Sequence, residues 1–253
     1  MLEMTRHGTA TDRPAVLIAH GLFGSARNWG AIARALADHR AVIAVDMRNH
    51  GDSPWQDSHT YPDMAADLAE IAAAEGAPLD VVGHSMGGKA AMRLALDHPA
   101  AVRRLAVIDI APVAYGHTQQ GLIDAMRALD LSDLRARSEA DRRLSAEVAD
   151  PGVRAFLLQS LDLRADPPRW RLNLDALERN MAAILGWDGA GAFDGPALFL
   201  SGGASDYVLP DHRPAIRAHF PAARLAKIPG AGHWLHAERP DATAETLRAF
   251  LDP

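Results

Sequence analysis

Cysteine is absent from this sequence of 253 residues. Disulfide bonds, thiolate metal sites and a cysteine nucleophile are therefore excluded, so any covalent chemistry must use oxygen or nitrogen. The sequence also lacks a run of about 18 uncharged apolar residues, which is the length that a transmembrane helix needs. The opening segment 1–14 has no apolar core resembling a signal peptide. We expect a cytoplasmic protein with no membrane partner.

An excess of positive charge is absent as well. The formal net charge is −6 and the isoelectric point is near 6.0, which predicts no nucleic-acid partner. Hydrophobic residues make up 48% of the chain and charged residues 23%. This composition is typical of a globular protein large enough to bury a substantial core, and it excludes disordered and collagen-like classes.

Short β-branched runs alternate with alanine-rich helical patterns from Ala15 onward. The alternation is typical of an α/β protein in which helices cover both faces of a mostly parallel sheet. The predicted strands are Ala15–His20, Ala41–Asp46, Leu79–Gly83, Arg104–Asp109, Pro196–Ser201 and Ala223–Ile228.

The alternation stops in the middle of the chain, where the pattern predicts several amphipathic helices and no convincing strand. We interpret residues 112–194 as an inserted helical cap on a core formed by residues 1–111 and 195–253. One helix of this segment is expected to begin at Pro151, because Asp150 is a favourable capping residue and proline suits the first helical position.

The segment 83–87 reads GHSMG and fits the pattern G-x-S-x-G. It follows a predicted apolar strand and precedes an Ala/Leu-rich helix, the context of a nucleophile elbow. Ser85 would occupy a strained turn that projects its hydroxyl, and the glycines two residues away on each side let strand and helix approach closely. The sequence therefore predicts Ser85 as a nucleophile beside the positive end of a helix.

A serine nucleophile needs a base, and His233 in the glycine-flanked loop 230–234 is the best candidate. It follows the last predicted strand, in agreement with the chain order Ser, Asp, His. The loop 20–25 follows the first predicted strand, where backbone N–H groups can complete an oxyanion hole. We assign the two donors to Leu22 and Met86. Three other histidines are interpreted as structural: His50, His84 and His236.

Aromatic side chains near these loops are candidates for a substrate pocket. Phe23 is assigned to a pocket wall, although a plain core role fits it equally well. The remaining pocket assignments are Tyr115, Tyr207 and Trp234. Trp170 and Trp187 in the predicted cap are further aromatic candidates to face the pocket.

Other kinds of site are not supported. The pair His233 and His236 has no nearby carboxylate beyond Glu238, so no metal is expected. Asp194 stands where a dinucleotide fingerprint starting at Gly189 needs its third glycine, and no P-loop pattern occurs. No cofactor is implied.

Six blocks of sequence together resemble the α/β-hydrolase superfamily over nearly the whole chain. They are HGLFGS (20–25), DMRNHGDSP (46–54), GHSMGGKA (83–90), IDIAPV (108–113), GGASDYV (202–208) and AGHWLHAERP (231–240). The blocks look most like a small branch of bacterial esterases with acyl-CoA thioesterase relatives and mitochondrial abhydrolase-domain cousins. The resemblance implies hydrolysis of small-molecule acyl esters or thioesters of short to medium chain length beneath a helical cap. In the second block, Asp46, Arg48 and His50 are interpreted as bracing a loop.

The acid that orients His233 has two candidates. Asp206 follows the predicted strand Pro196–Ser201, the commonest superfamily location, and Asp109 ends the strand that follows the nucleophile. Only one can accept the main hydrogen bond from His233 Nδ1, since that nitrogen carries one proton. In the branch that the chain resembles, the position matching Asp109 looks like the acid, so we favour Asp109 and keep Asp206 as the alternative.

These expectations combine into a serine carboxylesterase that works through an acyl-enzyme. The fold supports many chemistries, so a C–C bond hydrolase and a haloperoxidase-like activity are alternatives. A non-catalytic ligand receptor that kept the pocket is a third.

Overall fold

The computed structural model describes residues 1–76 and 78–252. The strands in this part of the chain are β1 Met4–His7, β2 Val16–Ala19, β3 Val42–Val45, β4 Leu79–His84, β5 Val102–Ile108, β6 Leu161–Asp162, β7 Arg169–Trp170, β8 Ala197–Gly202 and β9 Ala223–Ile228. The α-helices are α1 Gly30–Leu36, α2 Tyr61–Ala74, α3 Met86–Asp97, α4 Gln120–Ala128, α5 Arg137–Leu144, α6 Pro151–Leu157, α7 Leu174–Arg179, α8 Met181–Leu185, α9 Arg213–His219, α10 Leu235–Glu238 and α11 Pro240–Leu251. Short 3₁₀ helices cover Ala26–Trp29, Pro99–Ala101, Leu158–Ser160 and Pro210–His212.

The main sheet has the strand order β1-β3-β2-β4-β5-β8-β9. Only β1 pairs antiparallel, with β3, and the other neighbours pair in parallel. Parallel strands place all their carboxyl ends at one edge, which is where open α/β sheets bind ligands. The loops after β2, β4, β5, β8 and β9 therefore meet at that edge, and these loops carry the candidate site residues.

The sheet is buried on both faces because its central strands are almost wholly apolar. Every residue of β2, β3, β4 and β8 is buried. One face packs against α2 and α3 through residues such as Met64 and Leu94. The other face packs against α1 and α11 through residues such as Ile32 and Leu247. Each fully buried side chain of this size stabilises the fold by about 1.5–3 kcal/mol.

All six predicted strands are present, with ends that differ by at most two residues from the prediction. Strand β1 was not predicted, because the sequence MTRH has neither apolar alternation nor a β-branched run. Its residues are exposed or half-buried, and the strand is held by pairing Met4–His7 with Val42–Val45. Tertiary pairing thus decides a strand that local propensity does not.

The segment 112–194 contains α4 to α8 and adds no strand to the main sheet within the described residues. The expectation of no strand here is wrong in detail, because β6 and β7 form a separate two-stranded antiparallel sheet. The predicted start of α6 is confirmed: Asp150 Oδ1 accepts hydrogen bonds from the backbone N–H groups of Gly152 and Val153, at 2.7 and 3.1 Å.

Side chains tie this segment to the rest of the protein close to the carboxyl edge of the sheet. Ser160 Oγ donates to the carbonyl of Phe23 at 2.9 Å. Tyr61 Oη donates to the carbonyl of Ile184 at 2.5 Å. The segment therefore contacts both the loop after β2 and the start of α2.

None of the helices in the described ranges has the length and apolar character required to cross a lipid bilayer. The cytoplasmic location stays a prediction.

Candidate active site

Ser85 lies in the turn between β4 and α3 with φ 52° and ψ −121°. A non-glycine residue rarely adopts this left-handed region, and such strain is typical of functional turns. A Cβ atom on Gly83 would lie 2.3 Å from the carbonyl oxygen of Gly87, and one on Gly87 would lie 2.4 Å from that of Ala19. The two glycines are therefore required for strand and helix to converge on the strained residue.

The turn aims the Ser85 side chain into a cavity at the carboxyl edge of the sheet. Ser85 is half-buried and lines this cavity together with His233. Its N–H donates to the carbonyl of Ile108 at 3.0 Å, which fixes the turn against β5. Helix α3 begins at the next residue, so its positive end adjoins the hydroxyl.

His233 Nδ1 lies 2.8 Å from Asp109 Oδ2. Asp109 is fully buried, and its Oδ1 accepts from the N–H of Gly202 at 3.0 Å while its Oδ2 also accepts from Ser205 Oγ at 2.5 Å. These contacts assign the proton of neutral His233 to Nδ1. Nε2 is then left as the basic nitrogen.

The alternative acid is not hydrogen-bonded to this histidine. Asp206 is exposed and takes no part in the hydrogen bonds of His233 within the described residues. The same loop contributes two neighbouring residues instead: Ser205 donates to Asp109, and the Tyr207 ring stacks on the imidazole of His233. The Tyr207 and His233 ring centroids are 3.8 Å apart with an interplanar angle of 20°.

His84 fixes the loop that carries His233 through a hydrogen bond. Its Nε2 donates to the His233 carbonyl at 2.9 Å. Burial holds the pKa of His84 well below its usual value, so the ring is neutral. Behind it, His236 stacks on Trp29 with ring centroids 4.5 Å apart, and burial lowers its pKa to about 4.

The backbone N–H groups of Leu22 and Met86 belong to two loops that line the cavity beside Ser85. Met86 is the first residue of α3, so its N–H has no acceptor within the helix. Next to Leu22, Phe23 adopts a positive φ of 62°, and its N–H donates to His50 Nε2 at 3.1 Å. The loop carrying Leu22 is thereby fixed from its buried side.

Three neutral histidines support these two loops. His20 Nδ1 donates to the carbonyl of Gly21 at 2.7 Å, and His50 Nδ1 donates to the carbonyl of Arg48 at 2.9 Å. Burial lowers the pKa of His20 to about 4 and the pKa of His50 to about 3. On the other side, His59 Nε2 lies 3.2 Å from the sulfur of Met86.

The bracing interpretation of the second sequence block agrees with its contacts. Asp46 accepts from the N–H groups of Ala26 and Asp52, at 2.8 and 2.9 Å. Arg48 pairs with Asp67, with 2.6 Å between Nε and Oδ2. None of these contacts involves Ser85 or His233 among the described residues.

The cavity brings together the four side chains predicted for the pocket: Phe23, Tyr115, Tyr207 and Trp234. The further candidates Trp170 and Trp187 do not line it. Trp170 Nε1 donates to the carbonyl of Met126 at 2.8 Å, and Trp187 Nε1 donates to His219 Nε2 at 3.3 Å. Both indole N–H groups are thus used in hydrogen bonds outside the cavity. The residues of segment 112–194 that do line the cavity are Tyr115, His117, Gln119, Leu122, Val153, Phe156, Ile184 and Leu185.

Sequence reasoning missed Lys89, which is buried and lines the same cavity. The sequence did contain a signal, because Lys89 is one of only two lysines and stands in an apolar helix one turn after Ser85. Tyr61, which also lines the cavity, was missed as well. Across the described ranges, no group of three or more His, Asp or Glu side chains is arranged to hold a metal ion.

Comparison with protein-family models gives a match to the alpha/beta hydrolase fold over residues 14–240. The chain belongs to the α/β-hydrolase family. The α/β-hydrolase fold predicted from the sequence is therefore confirmed, together with its mostly parallel sheet flanked by helices.

Individual relatives within the α/β-hydrolase family cover almost the entire chain. The chain is 41% identical over 248 residues to the mouse sn-1-specific diacylglycerol lipase ABHD11, covering 94% of this chain and 81% of that protein. It is 40% identical over 251 residues to the Escherichia coli esterase YbfF, covering 98% and 96% of the two chains. A solved structure of a marine microorganism esterase superposes with a TM-score of 0.93 at 37% identity, covering 98% of both chains.

Proposed function

We propose that this protein is a serine carboxylesterase in which Ser85 is the nucleophile, His233 the general base and Asp109 the residue that orients the base. The observation that carries the proposal is the 2.8 Å contact between His233 Nδ1 and Asp109 Oδ2 beside a strained serine that opens on the same cavity. Nucleophile, base and orienting acid are the parts that acyl transfer requires.

The reaction follows from the proton positions. His233 Nε2 takes the hydroxyl proton as Ser85 Oγ attacks the ester carbonyl, and the buried carboxylate of Asp109 stabilises the imidazolium. The N–H groups of Leu22 and Met86 donate to the oxyanion, aided by the positive end of α3. His233 then protonates the leaving group, which departs and leaves the acyl group on Ser85 Oγ. In the second half of the reaction, His233 Nε2 takes a proton from the attacking water and returns it to Ser85 Oγ as the acid product leaves.

The general class of the enzyme is confirmed by relatives named as an esterase and as a lipase: the chain is a carboxylic ester hydrolase. We extend this to acyl esters or thioesters of short to medium chain length, small molecules that reach Ser85 beneath the segment 112–194. The apolar lining contributed by Leu122, Val153, Phe156 and Ile184 supports an acyl-binding role for that segment.

The test combines turnover with covalent labelling. Wild-type protein should hydrolyse p-nitrophenyl butyrate, and Ser85→Ala should lower kcat by about 10⁴-fold or more while the thermal unfolding midpoint stays close to wild type. A fluorophosphonate probe should add one label to wild type and none to Ser85→Ala. Ser138→Ala, which changes an exposed serine on α5, is the matched control and should label fully.

Two outcomes would contradict the proposal. Retained turnover in a folded Ser85→Ala variant would remove the serine mechanism. No turnover of any ester by wild type, despite labelling of Ser85, would favour the C–C bond hydrolase, the haloperoxidase-like activity or the non-catalytic receptor.

A further inference from the structure

Lys89 is a buried ammonium group within the cavity of the proposed esterase site. It lies on α3 one turn after Ser85 and is 1% exposed. Nζ donates to the carbonyl of Leu185 at 3.0 Å and to that of Gly186 at 2.6 Å. An ammonium has three N–H donors, so these two carbonyls leave one donor over.

The surroundings of Lys89 supply no negative charge. Within the described residues Lys89 forms no ion pair, and Nζ lies over the faces of two aromatic rings. The ring of Tyr115 has its centroid 4.8 Å from Nζ, and that of Tyr61 lies 5.5 Å away. Burial lowers the pKa of Lys89 to about 7, as expected for a desolvated cation without a counter-ion.

The lining of the cavity contains one basic side chain of the lysine or arginine type and no acidic side chain among the described residues. Among the described residues that line it there is no aspartate, no glutamate and no arginine, and Lys89 is the only lysine. Much of the remaining surface is aromatic or aliphatic. A cavity of this kind is unfavourable for a cationic ligand, and Lys89 is the one lysine or arginine in its described lining that can donate to an anionic one.

We propose that Lys89 makes this cavity a receptor for acyl groups that end in a carboxylate, so that hemiesters and hemithioesters of short dicarboxylic acids are preferred substrates. The inference rests on the proposed function, because it places the acyl group beside Ser85. It assigns to Lys89 the role of a specificity residue, which binds the far end of the acyl chain and takes no part in the bond changes at the ester.

The spacing along α3 suits a short acyl chain. Four residues of helical rise separate the Cα atoms of Ser85 and Lys89 by about 6 Å along the axis. Long side chains on a helix lean toward its N-terminus, which brings the ammonium back toward the nucleophile. A carboxylate a few carbons from the scissile carbonyl then reaches the remaining N–H of Lys89.

The decisive measurement is a ratio of two kcat/KM values. The substrates are p-nitrophenyl hydrogen adipate, which is anionic, and p-nitrophenyl methyl adipate, its neutral match, assayed at about pH 6 so that Lys89 is protonated. Wild type should favour the anionic substrate by about tenfold or more, the size of a charge-assisted hydrogen bond. Lys89→Met should reduce that ratio by about tenfold.

Arg93→Met is the matched control. Arg93 lies one turn further along α3, pairs with Asp97 and Asp188 and does not line the cavity. Its replacement removes one positive charge from the same helix and should leave the ratio at the wild-type value. An equal fall of the ratio in both variants would mean that long-range charge is responsible, which overturns the inference.

A measurement on wild type alone covers the case in which Lys89→Met does not fold. Adipate should inhibit hydrolysis of p-nitrophenyl butyrate at a concentration about tenfold lower than hexanoate does. Preference for the neutral ester, or equal inhibition by the two acids, would overturn the inference and leave Lys89 as a structural tie to Leu185 and Gly186. Neither result affects the proposed function, which depends on turnover of p-nitrophenyl butyrate by Ser85.

Discussion

His233 and Asp109 are joined by a 2.8 Å contact although 124 residues separate them in the chain. Asp109 directly follows β5 and is buried at the carboxyl edge of the sheet. Its carboxylate also accepts hydrogen bonds from the backbone N–H of Gly202 and from the hydroxyl of Ser205. A buried carboxylate that accepts hydrogen bonds from three donors is fixed in position. Asp206, by contrast, is exposed.

The first prediction concerns the acid. Asp109→Asn should lower kcat by up to about 10⁴-fold, because an amide no longer selects the tautomer with the proton on Nδ1 of His233. Asp206→Asn should change kcat less than about threefold, since an exposed side chain without a hydrogen bond to His233 contributes little. Steady-state kinetics with p-nitrophenyl butyrate measures both. A large loss of kcat in Asp206→Asn together with a nearly unchanged kcat in Asp109→Asn would reverse the assignment.

The ambiguity between these two acids shows where sequence reasoning stops. Six strands of the main sheet and the serine turn were predicted within two residues because their apolar runs and glycines act locally. Asp109 and Asp206 both follow strands of the same sheet edge, so the sequence offers each an equivalent place. Burial and the direction of the side chain, which depend on the packed loops, separate them.

Lys89 illustrates a second limit. A lysine within an apolar helix normally extends to solvent, and nothing local indicates that carbonyls of Leu185 and Gly186, about 100 residues later, receive its donors. The edge strand β1 was missed for a similar reason, since pairing with β3 and not its own sequence specifies it.

The second prediction concerns the stacked ring of Tyr207. The ring restricts the imidazole of His233 to one orientation, and an aromatic pair of this kind contributes about 0.5–1.5 kcal/mol. Tyr207→Leu should therefore lower kcat about three- to tenfold, with a smaller effect on KM. Tyr207→Phe keeps the ring and should restore most of kcat, although it loses the contact to His117. Equal losses in the two variants would assign the effect to the hydroxyl and would contradict the stacking role.

The third prediction concerns chain-length selection. Leu122→Ala and Phe156→Ala enlarge the part of the cavity that the segment 112–194 contributes, so the acyl chain with the highest kcat/KM should lengthen. A series of p-nitrophenyl esters from acetate to decanoate measures the profile. Leu157→Ala is the control: Leu157 is buried beside Phe156 but does not line the cavity, so stability should fall by about 2–5 kcal/mol without a change of profile. Identical profiles in all three variants would show that the segment does not select the chain.

The last prediction concerns acid sensitivity, which follows from two buried histidines that form hydrogen bonds with the loop after β2. Burial lowers the pKa of His20 to about 4 and that of His50 to about 3, whereas in the unfolded chain both are near 6.5. As the pH falls below about 6.5, the two histidines bind protons in the unfolded chain but remain neutral in the folded protein. The free energy of unfolding therefore decreases toward acidic pH. The loss continues until the folded values are reached, with a slope of up to about 1.4 kcal/mol per pH unit for each histidine.

Urea unfolding of wild type between about pH 7 and pH 5 should therefore show stability that falls steeply toward pH 5, a range in which most carboxylates remain ionised. His50→Gln removes one titrating group and should reduce the slope by about 1 kcal/mol per pH unit, even if its stability at pH 7 is lower. His39→Gln is the control, because the His39 side chain is exposed in the folded protein and remains in water after unfolding. If His50→Gln keeps the full wild-type slope, the pKa of His50 does not differ between the folded and unfolded states. Protonation of the ring that accepts from the N–H of Phe23 is then not the cause of the loss of stability in acid.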